Sequence, residues 1–398
     1  MTSLLTRRSA LLGLTSAVSM TSLGGRASLA LAGAPTEQRL VVVIQRGAMD
    51  GLAAVVPYGD PALTGLRGEI TSPAPANTDG VLDLGGFYGL HPALQNLHAI
   101  YAAGDLLPVH AVAGPYRVRS HFEAQDCMEC GSDHLLATGW LNRVVGALPA
   151  SSGREGGAIA IGVAMPMLLR GPARVASWAP RGFGQAPSDL YAQVAALSAA
   201  DGVIGPALRE GLRARGFSTE ALAGDAMPQN RSAFATLGTV AGEMLARSDG
   251  PRIAALEIGG WDTHAAQLPR LRPAMEQFDS GLAALKSGLG PVWKNTVVLT
   301  MTEFGRTVRV NGTKGTDHGT ASVAFLLGGA VAGGRVAGTW PGLGAGKLFE
   351  DRDLQPTTDL RSIAKGVLTQ HLGLNATQLA KVFPDSGAAP SMQGLIRT

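Results

Sequence analysis

The sequence predicts an α/β fold: a mainly parallel central sheet with helices on both faces. Three observations carry that expectation. Residues 40–44, Leu-Val-Val-Val-Ile, are an unbroken apolar run, the pattern of a strand buried on both sides. Similar runs alternate along the chain with stretches of helical character, as in parallel strands joined through helices. The composition is rich in glycine (54 residues), 45% hydrophobic and only 5% aromatic, which suits a sheet with many tight loops better than an all-β shell.

The elements follow in order. Residues 92–103 read as a helix, with Pro92 in the first turn and Gly104 beyond the end. Residues 106–112 are the next strand. Residues 120–129 form a helix that opens on Ser120-x-x-Glu123, a capping box. Residues 158–161 and 173–177 are short strands, and 188–248 look helical with a break near 201–205. Residues 252–258 are a strand. Met275, Phe278, Leu282, Leu285 and Leu289 then recur at the spacing of one helix face. Residues 296–301 and 322–327 complete the set. There is no internal repeat and no long charged tract.

The amino-terminus reads as an export signal. Thr6, Arg7 and Arg8 precede a mildly apolar run at 10–23, and Ala30-Leu31-Ala32 is an A-x-A-like cleavage site. The adjacent arginines point to the twin-arginine route, so residues 1–32 are expected to be a signal peptide and 33–398 one α/β domain, periplasmic or secreted. The apolar run is too short and too diluted by Ser, Thr and Gly for a stable membrane helix, so no span is expected in the mature form. Residues 1–32 carry Arg7, Arg8 and Arg26 and no acid. Without them the 33 basic residues fall to 30, against 30 acidic, so the small excess of positive charge gives no sign of a nucleic-acid partner. Cys127 and Cys130 stand as C-x-x-C, open to reading as a redox pair, half a metal site or two small buried side chains.

In sheets of this kind ligands bind beyond the carboxyl ends of the strands. The loops there carry carboxylates, imidazoles and guanidiniums beside glycine: Arg46-Gly47-Ala48-Met49-Asp50-Gly51, then Arg119-Ser120-His121, then Gly259-Gly260-Trp261-Asp262-Thr263-His264, then Thr302-Glu303-Phe304-Gly305-Arg306. A fifth segment, Gly315-Thr316-Asp317-His318-Gly319, leads into residues 322–327. Neutral imidazole and carboxylate oxygen are the donors zinc or manganese takes. Each segment also has a plainer reading. Asp50 shapes a turn, Ser120 or Asp262 caps a helix, Glu303 pairs with Arg306, and Asp317 and His318 face water.

Taken together and in this order, R-G-A-M-D-G-L at 46–52, S-H-F-E-A-Q-D at 120–126, G-G-W-D-T-H at 259–264, T-E-F-G-R at 302–306 and G-T-D-H-G at 315–319 resemble a known family. It is the exported bacterial "domain of unknown function 1501", placed in the alkaline-phosphatase and sulfatase-like superfamily. The resemblance runs from about residue 38 to about residue 373. It implies an alkaline-phosphatase-like fold, a site for one or two divalent metal ions, and a nucleophile at a helix start, the place of Ser120. Arg119, Arg46, His121 and Arg306 are then the other catalytic candidates. Asp262, His264 and His318 resemble the first metal's ligands, with Asp317, Glu303 and Asp50 as candidates for the second. Phe304 stands where a second-metal histidine is usual. The implied substrate is a small anionic ester of phosphate or sulfate. The family also suggests a second exported protein as partner. The rival expectation is a non-catalytic binding or assembly protein on the same fold, with a C-x-x-C redox protein a distant third.

Overall fold

The computed structural model describes residues 37–148, 157–162, 164–180 and 233–397. Residues 1–32, with Arg7 and Arg8, and residues 188–232 of the helical stretch lie outside the described residues. All of the described residues belong to one compact unit that begins at Thr36.

Among them, eight strands form one sheet. In chain order they are β1 (Arg39–Gln45), β2 (Leu106–Ala113), β3 (Ala158–Ile161), β4 (Ala176–Trp178), β5 (Ile253–Ile258), β6 (Thr296–Met301), β7 (Ser322–Leu327) and β8 (Thr358–Asp359). Across the sheet the order is β8-β2-β7-β6-β1-β5-β3-β4. β1 pairs in parallel with β5 and β6, β3 with β4 and β5, and β8 with β2. Only β7 reverses: it is antiparallel to both β2 and β6. The expected α/β class with a mainly parallel sheet is what the chain adopts.

The apolar run of β1 works as a doubly buried strand. Val41 and Val43 join the core on one face, with Phe234, Met275, Phe278, Leu282 and Leu285. Leu40, Val42 and Ile44 join the core on the other, with Trp140, Leu141, Ile363 and Val382. Helices therefore cover both faces, because side chains alternate along a strand and each face must be buried. On the first face lie α3 (Gln95–Ala102), α6 (Ala233–Ala246) and α7 (Gln267–Leu289). On the second lie α4 (His121–Cys130), α5 (Trp140–Ala147), α8 (Leu360–Gln370) and α9 (Ala376–Val382). The short helices α1 (Gly51–Ala54) and α2 (Leu63–Arg67) follow β1, beside a small sheet of Val55–Val56, Gly89–Leu90 and Leu82–Asp83. The five residues read as one face of α7 are all buried. Among the described residues no helix is long and apolar enough to cross a membrane.

Some local expectations need correction. Ser120 stands at the N-cap of α4, but its side chain makes no capping bond. Glu123 instead accepts from the Tyr116 hydroxyl at 2.5 Å, so the capping box does not form. Asp262 does not cap α7; that position belongs to Ala266, in a left-handed conformation (φ 48°). The strand expected at 173–177 is displaced to Ala176–Trp178.

Candidate metal centre

The antiparallel β7 decides which loops meet. Segments 45–51, 114–120, 259–264 and 302–306 leave the carboxyl ends of β1, β2, β5 and β6. Segment 315–319 enters β7 at its amino end, and because β7 is reversed, that end lies on the same edge of the sheet. The five strands concerned are neighbours, β2-β7-β6-β1-β5. The loops also touch closely. A Cβ on Gly305 would lie 1.9 Å from the Ala321 carbonyl oxygen, and one on Gly319 would lie 2.4 Å from the Arg306 carbonyl carbon. Both positions accept only glycine.

Four side chains converge at that edge. Asp262 Oδ1 lies 3.0 Å from His264 Nε2 and 3.5 Å from His318 Nε2, and Asp262 Oδ2 lies 3.6 Å from His121 Nε2. The Nε2 atoms of His264 and His318 are 2.9 Å apart. Donors about 2.0–2.1 Å from a tetrahedral ion are about 3.3 Å from one another, and the ligand atoms of His121, Asp262 and His318, all within 4.8 Å of one another, can share one metal ion, with His264 beside them.

The tautomers fit as well. His121 Nδ1 lies 2.8 Å from Glu303 Oε1, His264 Nδ1 3.3 Å from Asp317 Oδ1, and His318 Nδ1 3.0 Å from the Arg119 carbonyl. All three partners are acceptors, so the tautomer protonated at Nδ1 satisfies each of them. In that tautomer each Nε2 turns a lone pair to the cluster, the arrangement by which outer carboxylates and carbonyls orient histidine ligands. The Nε2 atoms of His264 and His318, 2.9 Å apart, are reconciled by a proton on one of them or by a metal ion. His121 Nε2 is buried and, among the described residues, has no hydrogen-bond partner. An orphaned imidazole nitrogen aimed into a carboxylate–imidazole cluster is the atom a metal would satisfy. The donor set therefore fits a divalent cation.

The electrostatics agree. Burial pushes the Asp262 carboxyl up, but the Arg306 bond and charge and the neighbouring imidazoles hold it below the usual carboxylate range. Burial also opposes ionisation of Glu303, yet donors from His121, Gln125 and the backbone hold it low. The Asn311 hydrogen bond, then His264, lowers Asp317. Glu303 raises His121 against its burial, and burial lowers His318. Three carboxylates held low, Asp262, Glu303 and Asp317, thus stand behind or within the imidazole cluster, with Arg306 bonded to Asp262 and Arg352 near Asp317. The side chains of His264 and Asp262 are 44% and 46% exposed. That openness is unlike an enclosed structural zinc site and leaves a face for an incoming group.

The other residues singled out in the sequence are placed as follows. Arg306 is wholly buried and spans from Thr316, through Nε and Nη2, to Asp262 Oδ1 at 2.7 Å. Arg46 is tied to Glu257, to Glu129 at 2.8 Å and to Gln125 at 2.9 Å. Arg119 is tied to Asp353, Glu350 and Thr320. Neither presents a free guanidinium to an anion. Asp50 is not part of the converging group. Its carboxylate caps α1 through Leu52 N and Ala53 N, and also accepts from Arg67 and Gln267. Glu303 stands behind His121 rather than beside the other ligand atoms. Cys127 and Cys130 are buried free thiols. Burial pushes the Cys127 thiol up to about 11, so it carries no reactive thiolate at neutral pH.

Gln125 and Gln267 escaped the sequence reading. Gln267 joins Thr263 and Thr316 to Asp50, which links Arg306 and the cluster to the α1 cap. Gln125 carried a usable signal, since it lies four residues after His121 on one helix face. Gln267 carried none.

A family profile described as "Protein of unknown function (DUF1501)" matches residues 107–383, well over half of the chain. No curated protein matches. Three solved structures are similar to the chain at low identity. One is the zinc complex of the C-terminal periplasmic domain of EcEptC from Escherichia coli, 13% identical, covering 74% of this chain and 73% of that one, with a TM-score of 0.35. Another is Ps i-CgsB, at 10%, 86%, 74% and 0.40 in the same order. The third is a phosphonate monoester hydrolase of Agrobacterium radiobacter, at 10%, 85%, 74% and 0.37.

Proposed function

The chain belongs to the family described as protein of unknown function DUF1501, and from that premise we propose that it is a metal-dependent hydrolase of small phosphate or sulfate esters. The observation that carries this reading is the meeting of His121, Asp262 and His318, whose ligand atoms all lie within 4.8 Å of one another, with His264 Nε2 against both Asp262 and His318. A divalent ion held there, zinc or manganese by its donors, supplies a Lewis acid for an ester oxygen and a hydroxyl of lowered pKa.

The remaining roles fall to the chain's own residues. His121, His318 and Asp262 would hold the ion, with His264 beside Asp262 and His318. Arg306 keeps Asp262 ionised and fixed in place. Ser120 precedes His121 at the start of α4, and its hydroxyl makes no capping bond. It is the attacking group: its oxygen bonds to phosphorus or sulfur as the bond to the ester oxygen breaks, the hydroxyl's proton leaves with the alcohol, and water then cleaves the seryl ester, releasing phosphate or sulfate and restoring the Ser120 hydroxyl. The free N–H groups of the first turn of α4 favour the anionic oxygens of the ester. An alkaline-phosphatase-like ancestry and a second exported protein as partner belong to this same reading.

Protein purified from the periplasm without added metal is expected to hold roughly one equivalent of zinc or manganese, as one such site implies. Metal-free protein that also takes up neither ion on titration overturns the reading. One observation favours a second reading, a non-catalytic binding or assembly protein. Arg46, Arg119 and Arg306 are all paired with carboxylates, so none of these three is free to hold an ester anion. Residues 1–32 are proposed as a twin-arginine-type signal that delivers the domain to the periplasm or beyond.

A further inference from the structure

We propose that Glu303 is the positioning residue for His121, anchored through Gln125 to Arg46, and that this relay sets the affinity of the centre for its metal. The inference rests on the metal-site reading above and assigns a role to residues that touch no ligand position. Glu303 is fully buried at the end of β6. Its Oε1 receives His121 Nδ1 at 2.8 Å, Gly47 N at 2.9 Å and Gln125 Nε2 at 3.0 Å. Among the described residues no lysine or arginine forms an ion pair with it, although a buried charge ordinarily has a cationic partner or a metal.

The positive charge stands one residue further back. Gln125 donates its amide N–H to Glu303 and accepts Arg46 Nη1 on its oxygen at 2.9 Å, so both ends of the amide are committed and its orientation is fixed. Arg46 is in turn held by Glu257 and Glu129. His121, Gln125 and Glu129 lie at i, i+4 and i+8 of α4, so one helix face carries ligand, spacer and anchor. The other two histidines lean on weaker supports: a half-exposed carboxylate, Asp317, and a backbone carbonyl, Arg119. The His121 arm is thus the most buried and the most connected of the three. A carboxylate behind a ligating imidazole fixes its tautomer and raises its basicity.

A double-mutant cycle read by zinc calorimetry on the full mature chain tests this. Glu303→Gln keeps the shape and removes the charge. It is expected to weaken zinc binding about 10–100-fold, as loss of an outer partner does. In a His121→Ala background, where the relay has nothing to position, the same change is expected to alter the affinity by less than about threefold, within the range of independent sites. Equal losses in both backgrounds would mean that Glu303 acts on the fold generally, and would overturn the proposal while leaving the metal site standing. A native chain that binds no zinc removes the metal reading and this proposal together. If Glu303→Gln does not fold, Gln125→Leu goes through the same cycle, with a loss of a few-fold expected for one outer hydrogen bond. Losses that simply add there overturn the relay in the same way.

Discussion

Asp50→Asn separates two roles that one carboxylate can play. The residue sits in a loop that carries chemistry, yet its side chain is only 1% exposed and faces Arg67, equally buried, at 2.5 Å. Asn caps a helix about as well as Asp, so the cap of α1 survives. What is lost is, among the described residues, the only carboxylate paired with Arg67, which also donates to the carbonyls of Thr307 and Val308. Stranding a buried charge by removing its partner costs about 3–5 kcal/mol. That is a large part of the roughly 5–15 kcal/mol that holds a typical domain. At an m-value of about 3 kcal/mol/M, equilibrium unfolding in urea should show the midpoint falling by 1 M or more, with m unchanged. Zinc stoichiometry should stay the same, because no Asp50 oxygen is left to share. A loss of stability under about 1 kcal/mol would refute the buried-pair argument. A lost equivalent of zinc would return Asp50 to the metal site.

Three further outcomes are expected. Burial, helped by Arg272, holds His91 at about 4, and burial holds His110 at about 4. The unfolded chain takes up these protons near pH 6.5, so the stability they contribute is complete above about 6.5 and is lost as pH falls toward 4. The loss is of the order of 3 kcal/mol for each at about 1.36 kcal/mol per pKa unit. Denaturation midpoints that stay flat between pH 7 and 4.5 would contradict it. Ser120→Ala should cost less than about 0.5 kcal/mol, since there is no capping bond to lose, yet abolish ester hydrolysis. Turnover by the folded variant near the original rate would remove Ser120 from the reaction. Replacing Arg7 and Arg8 by Lys should strand the precursor in the cytoplasm, as cell fractionation would show, whereas undiminished export would point to another route.

The sequence alone determined what depends on near neighbours. The doubly buried β1, the apolar face of α7, and the strands β6 and β7 are readable because periods of two and of 3.6 record burial residue by residue. It also marked the five loops, since carboxylates and imidazoles beside glycine are uncommon enough to notice. It did not determine how those side chains are spent. Arg46 with Glu257 and Arg119 with Asp353 are separated by 211 and 234 residues, and no local pattern reports such pairings. Nor did it determine the direction of β7. A run of six apolar or small residues is the same pattern read either way, because side-chain alternation has no polarity along the strand. The reversal brings His318 to the edge where β1, β2, β5 and β6 end. Had β7 run parallel to its neighbours, the same five loops would have divided between opposite edges, and His318 could not have met His264. The sequence supplied the side chains; only the sheet, through one antiparallel pairing on each side of β7, brought them together.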